Sequence, residues 1–157
     1  MLRIAHRGLW GPGIPENSLA AFQAAADAGL GVELDVHLSA DGAPMVFHDA
    51  KLDRMTGQRG YIFERTAAEL QTLTLIGGDA QTIPTLGQVL DLMPAELSVF
   101  IEIKPTHPKS SHNDMISTEK VLLRVPQGPE KSRFCMSFSP VSMAHLIENY
   151  PKSQVGY

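Results

Sequence analysis

The chain has 157 residues, of which 43% are hydrophobic and 19% charged, with a formal net charge of −4. That is enough chain for one globular domain with a real core, and too little positive charge for a general nucleic-acid binder, which needs a basic face. No stretch approaches the ~20 apolar residues that cross a bilayer, and Met1-Leu2-Arg3-Ile4-Ala5-His6 lacks a signal peptide's apolar run, so a cytoplasmic protein without integral membrane association is expected.

Leu2 to Ala5 reads as a short strand that runs into His6-Arg7-Gly8, and Leu9 to Pro15, rich in Gly and Pro, reads as a loop. Asn17 or Ser18 caps a helix that carries Leu19, Phe22 and Ala26 on one stripe and stops before Gly29. Val32-Glu33-Leu34-Asp35-Val36-His37-Leu38 then alternates strictly, apolar at even numbers and polar at odd ones. That is the period of a β-strand with Glu33 and Asp35 on one face. Strand, helix and strand with a short return make a βαβ unit, so the two strands should be parallel with a right-handed crossover.

Asp41-Gly42 makes a turn before a second extended run, Pro44 to Asp49, and Gly42 suits a hairpin as well as a new crossover. From Lys51 to Thr82 the pattern weakens to an excursion with one short capped helix, Thr66 to Leu70. Regularity returns with Pro84 at a helix start and Leu86, Val89, Leu90 and Met93 at helical spacing, ended by Pro94. Leu97 to Lys104 is a further strand, with Val99, Ile101 and Ile103 on one face and Glu102 and Lys104 on the other. His107 to Asn113 reads as a polar loop and Met115 to Val125 as a weakly patterned helix. Arg133 to Phe138 is the next strand, Ser142 to Asn149 a helix, and Gln154 to Tyr157 a strand just beginning. Cys135, the single cysteine, can form no internal disulfide.

Alternating strands and helices with acids near the strand C-terminal ends point to an α/β fold of the (β/α) barrel type, whose sites lie at that rim. A full barrel takes ~250 residues. This chain holds about four such strands and the stub of a fifth, so it is read as roughly the first half, too short to close. Open strand edges are sticky, which leaves three expectations: a piece of a longer protein, a truncated product, or a half-barrel completed by self-association.

The polar groups expected at one rim are His6, Arg7, Glu33, Asp35, His48, Glu102 and Lys104. A Glu-x-Asp pair alone suits a solvated strand as well as a metal site. Glu102, at the matching point of another strand, shifts the balance towards a hard divalent cation, Mg²⁺ or Ca²⁺, rather than zinc. Two imidazoles at strand ends can act as base and acid on one phosphorus, although either His alone is better read as a hydrogen-bonded structural residue. Arg7 and Lys104 can meet a phosphate or simply pair with the acids. Asp49 is read as the start of a turn in preference to a partner for His48.

Ala5-His6-Arg7-Gly8, followed by Pro15-Glu16-Asn17-Ser18-Leu19-Ala20-Ala21-Phe22, closely resembles the opening of the glycerophosphodiester phosphodiesterases. The likeness continues through Glu33-Leu34-Asp35-Val36, Val46-Phe47-His48-Asp49, Leu52-Asp53-Arg54-Met55-Thr56-Gly57, Ile83-Pro84-Thr85-Leu86 and Ile101-Glu102-Ile103-Lys104-Pro105. It is firm over the first two-thirds of the chain and thinner after Pro105.

The resemblance implies a TIM-type barrel over residues 1–157 with a small inserted subdomain over 49–82. It implies a divalent cation on Glu33, Asp35 and Glu102, general acid–base roles for His6 and His48, and Arg7 and Lys104 near the substrate phosphate. Glu16 and Asn17 would shape the first loop. The implied reaction is hydrolysis of a small-molecule glycerophosphodiester to an alcohol and glycerol 3-phosphate. The alternatives are a related phospholipase D acting on lysophospholipid or sphingomyelin, and an inactive barrel fragment.

Overall fold

The alternating stretch is a strand, and both of its faces are covered. In a computed structural model of the protein, which describes residues 2–105, 118–123, 125, 132–150 and 155, residues 31–37 are all buried. Around this strand, β2 (Gly31–Leu38), run β1 (Ile4–His6), β3 (Pro44–Val46), β4 (Val99–Ile103) and β5 (Arg133–Met136). The helices are α1 (Leu19–Asp27), α2 (Asp53–Thr56), α3 (Ala67–Leu70), α4 (Leu86–Leu92) and α5 (Pro140–Asn149), with a 3-10 turn at Ile62–Glu64 and a helical stretch at 118–122.

The sheet order is β1-β2-β4-β5, with every neighbouring pair parallel. Val155 makes a parallel bridge to Cys135, at the place where the sequence begins its fifth strand. β3 settles the open choice in favour of the hairpin: it is antiparallel to β2, with Val36 opposite Val46. At Val36 the other edge of β2 is taken by Ile103 of β4, so β3 follows β1 along one edge. The amides of Arg7, Phe47 and Lys104 then donate to the carbonyls of Glu33, Asp35 and Val36, at 3.0, 2.9 and 3.0 Å. Three chain segments therefore leave the sheet at one end of β2.

Side-chain caps move several boundaries from their expected places. Ser18, not Asn17, caps α1: its hydroxyl accepts from the Ala21 amide at 3.1 Å. Pro84 stays outside α4 because its carbonyl accepts from the Val46 amide. Thr85 and Gln88 form the reciprocal cap, and the helix starts at Leu86. α5 begins two residues before the expected Ser142, with Ser139 as cap and Pro140 at its first position. β5 stops at Met136, since the Ser137 hydroxyl turns to the Ile103 carbonyl at 2.6 Å. The polar loop of His107 to Asn113 and the early part of the Met115 to Val125 helix lie outside the described residues.

The alternation of β2 sorts its side chains. Val32, Leu34 and Val36 join Val99, Ile101, Ile103 and Cys135 in one core, packed against Phe22 and Ala25 of α1, Leu86 and Val89 of α4, and Leu146 of α5. Each Val, Leu, Ile or Phe side chain among them contributes about 1.5–3 kcal/mol by leaving water. Gly8 sits where a Cβ would come 2.8 Å from the Ala21 backbone, at φ +81°, so α1 packs on the β1 exit only with glycine there. A second cluster gathers Met45, Phe47, Leu52, Ile62, Leu70, Leu75 and Ile83. The segment after β3 thus brings apolar packing of its own.

Candidate active site

The polar positions of β2 face away from the helices, and register lines them up with their neighbours. Parallel pairing sets His6 opposite Glu33 and Asp35 opposite Glu102. Carboxylate oxygens of Glu33, Asp35 and Glu102 all lie within 4.8 Å of one another, and all three residues are buried. Like charges so close and so dry repel strongly unless cations join them.

Lys104 answers part of that charge. Its ammonium is 2.6 Å from Glu102 Oε1 and 2.8 Å from Asp35 Oδ1. Burial pushes Asp35 up, but the Lys104 contact and an Asn17 Nδ2 donor at 3.0 Å outweigh it and hold the carboxyl below its usual range. Lys104 in turn is raised by its two carboxylates against the opposing effect of burial.

Glu33 is left over. Burial, then the neighbouring Asp35 charge, pushes its carboxyl up to about 7. It accepts from the Arg7 amide at 3.3 Å and lies 3.7 Å from His6 Nε2. A carboxylate trio with one member this poorly compensated fits a divalent cation. The donors are all carboxylate oxygens, as Mg²⁺ or Ca²⁺ prefers.

Arg7 stands at φ 59°, a left-handed conformation unusual for a residue with a side chain. Its amide is held by Glu33, and its carbonyl accepts from the Asn17 amide at 2.9 Å. The guanidinium reaches Asp35 Oδ2 at 3.4 Å and Glu16 Oε1 at 3.0 Å. Trp10 donates its indole N–H to the His6 carbonyl while half its surface stays exposed.

His48 follows β3. Contrary to the expectation that Asp49 merely starts a turn, the Asp49 carboxylate lies 2.6 Å from His48 Nδ1. Arg54 and then burial act in opposite senses on Asp49, and Arg54 wins, holding it at about 2. An ionised carboxylate only accepts, so Nδ1 carries the proton. From the other side the His37 ring lies 3.0 Å from the His48 carbonyl. Burial lowers His37, which keeps a neutral ring with Nε2–H as the donor.

The structure therefore brings His6, Arg7, Glu33, Asp35, Glu102 and Lys104 into one set of contacts. His48 is tied to it through Asp49, Arg54, Glu16 and Arg7. Sequence reasoning missed Arg54 and His37 altogether. It gave Asn17 a part in the first loop or as a helix cap, whereas its side-chain amide donates to the buried Asp35 carboxylate. The signal for His37 was present: it shares the polar face of β2 with Glu33 and Asp35.

The glycerophosphoryl diester phosphodiesterase family model matches residues 6–156. A protein of Bacillus altitudinis named glycerophosphodiester phosphodiesterase is 40% identical over 111 residues, 64% of this chain and 43% of its own length. Mouse glycerophosphodiester phosphodiesterase 1 is 28% identical over 177 residues, 97% of this chain and 53% of its own length. The chain thus spans about half the length of these relatives.

Among solved structures, an Oleispira antarctica phosphodiesterase in complex with the product sn-glycerol-3-phosphate is 30% identical with a TM-score of 0.79, over 99% of this chain and 64% of that one. A Parabacteroides distasonis glycerophosphodiester phosphodiesterase gives 29% and 0.80, over 98% and 63%. These are TIM-type barrels, and the parallel sheet described here corresponds to part of one.

Proposed function

Because this chain belongs to the glycerophosphoryl diester phosphodiesterase family, we propose that it carries the metal-binding and acid–base half of an enzyme that hydrolyses glycerophosphodiesters to an alcohol and sn-glycerol 3-phosphate. The observation that carries this reading is the convergence of Glu33, Asp35 and Glu102 beside Arg7, Lys104 and His6. The reading takes Met1 to Tyr157 as one partial barrel domain with residues 49–82 as an inserted subdomain. Cys135 is a buried thiol pushed up to about 12 by burial, an unreactive core residue that suits a cytoplasmic setting. No helix among the described residues is long and apolar enough to cross a membrane.

Glu33, Asp35 and Glu102 would hold the cation, Mg²⁺ or Ca²⁺. When bound, it neutralises phosphate charge that otherwise repels a nucleophile. Arg7 offers a planar fork and Lys104 a point charge to the same phosphate oxygens. One of His6 and His48 takes the proton from a glycerol hydroxyl as its oxygen bonds to phosphorus. The other gives a proton to the alcohol oxygen as its bond to phosphorus breaks. Water then opens the cyclic phosphate with the proton roles reversed. Proton transfer of this kind contributes on the order of 10²–10⁴-fold, so charge neutralisation and positioning carry much of the rest.

The test is release of glycerol 3-phosphate from glycerophosphocholine with Mg²⁺ or Ca²⁺, against EDTA, Glu33→Gln and His6→Ala. Metal-dependent release that both substitutions abolish is the expected result. Release untouched by either one overturns the site. Activity confined to micellar lysophospholipid transfers the site to the phospholipase D reading. Self-association is the remaining part of the proposal. β1 and Val155 lie at opposite margins of the described sheet, and light scattering of the active species shows whether a second copy covers them.

A further inference from the structure

The segment after β3 returns one side chain to the site, and the chemistry proposed above does not use it. Arg54 lies on α2, a single turn that follows the fully buried Leu52 and ends at Gly57 in the left-handed conformation. Its Nε donates to Asp49 Oδ2 at 2.6 Å and its Nη2 to Asp49 Oδ1 at 3.1 Å. The same Nη2 donates to Glu16 Oε1 at 2.6 Å. Glu16 is buried and also receives Arg7 Nη1 at 3.0 Å. Asp49 Oδ1 in turn receives His48 Nδ1 at 2.6 Å.

As a source of stability this arrangement is weak. The Arg54 side chain is 47% exposed, and solvent screens most of what an ion pair gains at such a site. A two-point fork does something a single contact cannot: it fixes the plane and rotation of the carboxylate it grips. Glu16 fixes the guanidinium in turn. A carboxylate held in that plane presents one oxygen to one nitrogen of the adjacent imidazole, and that choice sets the tautomer. A ring with its proton on Nδ1 has its lone pair on Nε2, the form that can take a proton from a substrate hydroxyl.

We propose that Arg54 is a positioning residue: by gripping Asp49 it keeps the neutral His48 ring protonated on Nδ1 and leaves Nε2 to the substrate. The inserted segment then serves the reaction as well as the fold. This inference rests on the acid–base role given to His48 under the phosphodiesterase reading. Its test therefore reads the ring itself as well as turnover.

Ring ¹⁵N shifts are recorded on the full chain, with the His48 signals assigned by their loss in His48→Gln. Wherever the parent ring is neutral, its proton should sit on Nδ1 alone. Arg54→Met should give a mixture of tautomers and lower kcat on glycerophosphocholine about 10- to 100-fold, a fraction of a general acid–base contribution, with a smaller change in KM. Arg54→Lys keeps the charge but cannot fork, so it should not restore the single tautomer.

Asp49→Asn offers His48 an amide in place of a carboxylate and should enrich the Nε2-protonated ring. A ring still protonated on Nδ1 alone in Asp49→Asn overturns the proposal, which keeps it testable even where Arg54→Met unfolds. A single Nδ1-protonated ring in Arg54→Met, an Nε2-protonated ring in the parent, or full rescue by lysine each overturns the proposal. Tautomer changes as described in a parent that hydrolyses no glycerophosphodiester leave the grip of Arg54 on His48 standing and bring down the reaction instead.

Discussion

Asp35 and Glu102 face each other across the β2–β4 pairing and share one ammonium, that of Lys104, at 2.8 and 2.6 Å. The parallel register makes this possible. It places both carboxylates at the same height and sends Lys104, two residues beyond Glu102, back over the pair. Glu33, two residues from Asp35 on the same face, makes no such contact: burial, then the Asp35 charge, raises its carboxyl, and Lys104 offsets only a small part.

That imbalance gives the metal-free protein a distinctive pH dependence. The Glu33 carboxyl rises from 4.5 to about 7 on folding, chiefly by burial and then by the Asp35 charge. Between those values the folded protein holds a proton that the unfolded chain has lost. Stability from this group therefore falls as pH rises from about 4.5 to 7 and levels off above, by about 3 kcal/mol. Asp35, lowered instead, acts in the opposite sense and only as pH falls through its own range. Thermal unfolding in EDTA from pH 5 to 8 checks this. Added Mg²⁺ or Ca²⁺ should raise Tm most at the alkaline end, and an equal increment at pH 5 and pH 8 counts against it.

Glu33→Gln should separate stability from function. The amide is close in shape, carries no charge, and ends the repulsion with Asp35. Above pH 7 the metal-free variant should be more stable than the parent by up to about 3 kcal/mol, the size of the linkage it removes. Its Tm should respond little to divalent cation, and its hydrolysis should be lost. Paired denaturant melts at pH 8, with and without cation, measure the stability effects, and glycerol 3-phosphate release measures the other.

Lys104→Met has the reverse sign. It leaves Asp35 and Glu102 buried with their shared cation gone, and breaking a buried pair in this way costs about 3–5 kcal/mol. The Lys104 side chain is 15% exposed and those of Asp35 and Glu102 1% and 9%, so solvent relieves little of it. Divalent cation should recover part of the lost stability, because the same carboxylates would then bind it. A variant as stable as the parent in EDTA would show that the ion pair carries no such load.

Much of this was legible because period and register are local properties. Alternation in Val32–Leu38 put the acids on one face, and the matching alternation in Leu97–Lys104 brought Glu102 to them. What the sequence hid depends on side chains that reach across the fold. That α4 starts beyond Pro84, behind the Thr85 cap, follows from the bond between the Pro84 carbonyl and Val46, a contact made only after β3 docks. Asp49 looked like a turn residue because Arg54 lies in a stretch without periodicity. Its value appears only once α2 carries it to both Asp49 and Glu16. Asn17 similarly reads as one of two candidate caps in sequence, while its left-handed backbone, at φ 54°, leaves capping to Ser18 and its amide to Asp35.

Arg133 provides a control that weakens the fold and spares the site. It lies at the start of β5, buried, with Nη1 donating to the Leu97 carbonyl at 2.8 Å and Nη2 to the Met93 carbonyl at 3.1 Å. Those carbonyls belong to the C-terminal end of α4 and the turn into β4, where the helix leaves acceptors unpaired and its dipole favours a cation. Burial lowers Arg133, yet the two donated bonds keep the guanidinium as a clamp between α4, β4 and β5. Arg133→Met fills much of the same volume and strands both acceptors, so a loss of about 2–4 kcal/mol is expected. Because no site residue touches Arg133, the Tm increment produced by divalent cation should stay that of the parent. A lost increment would mean that the clamp also sets the height of Glu102 on β4.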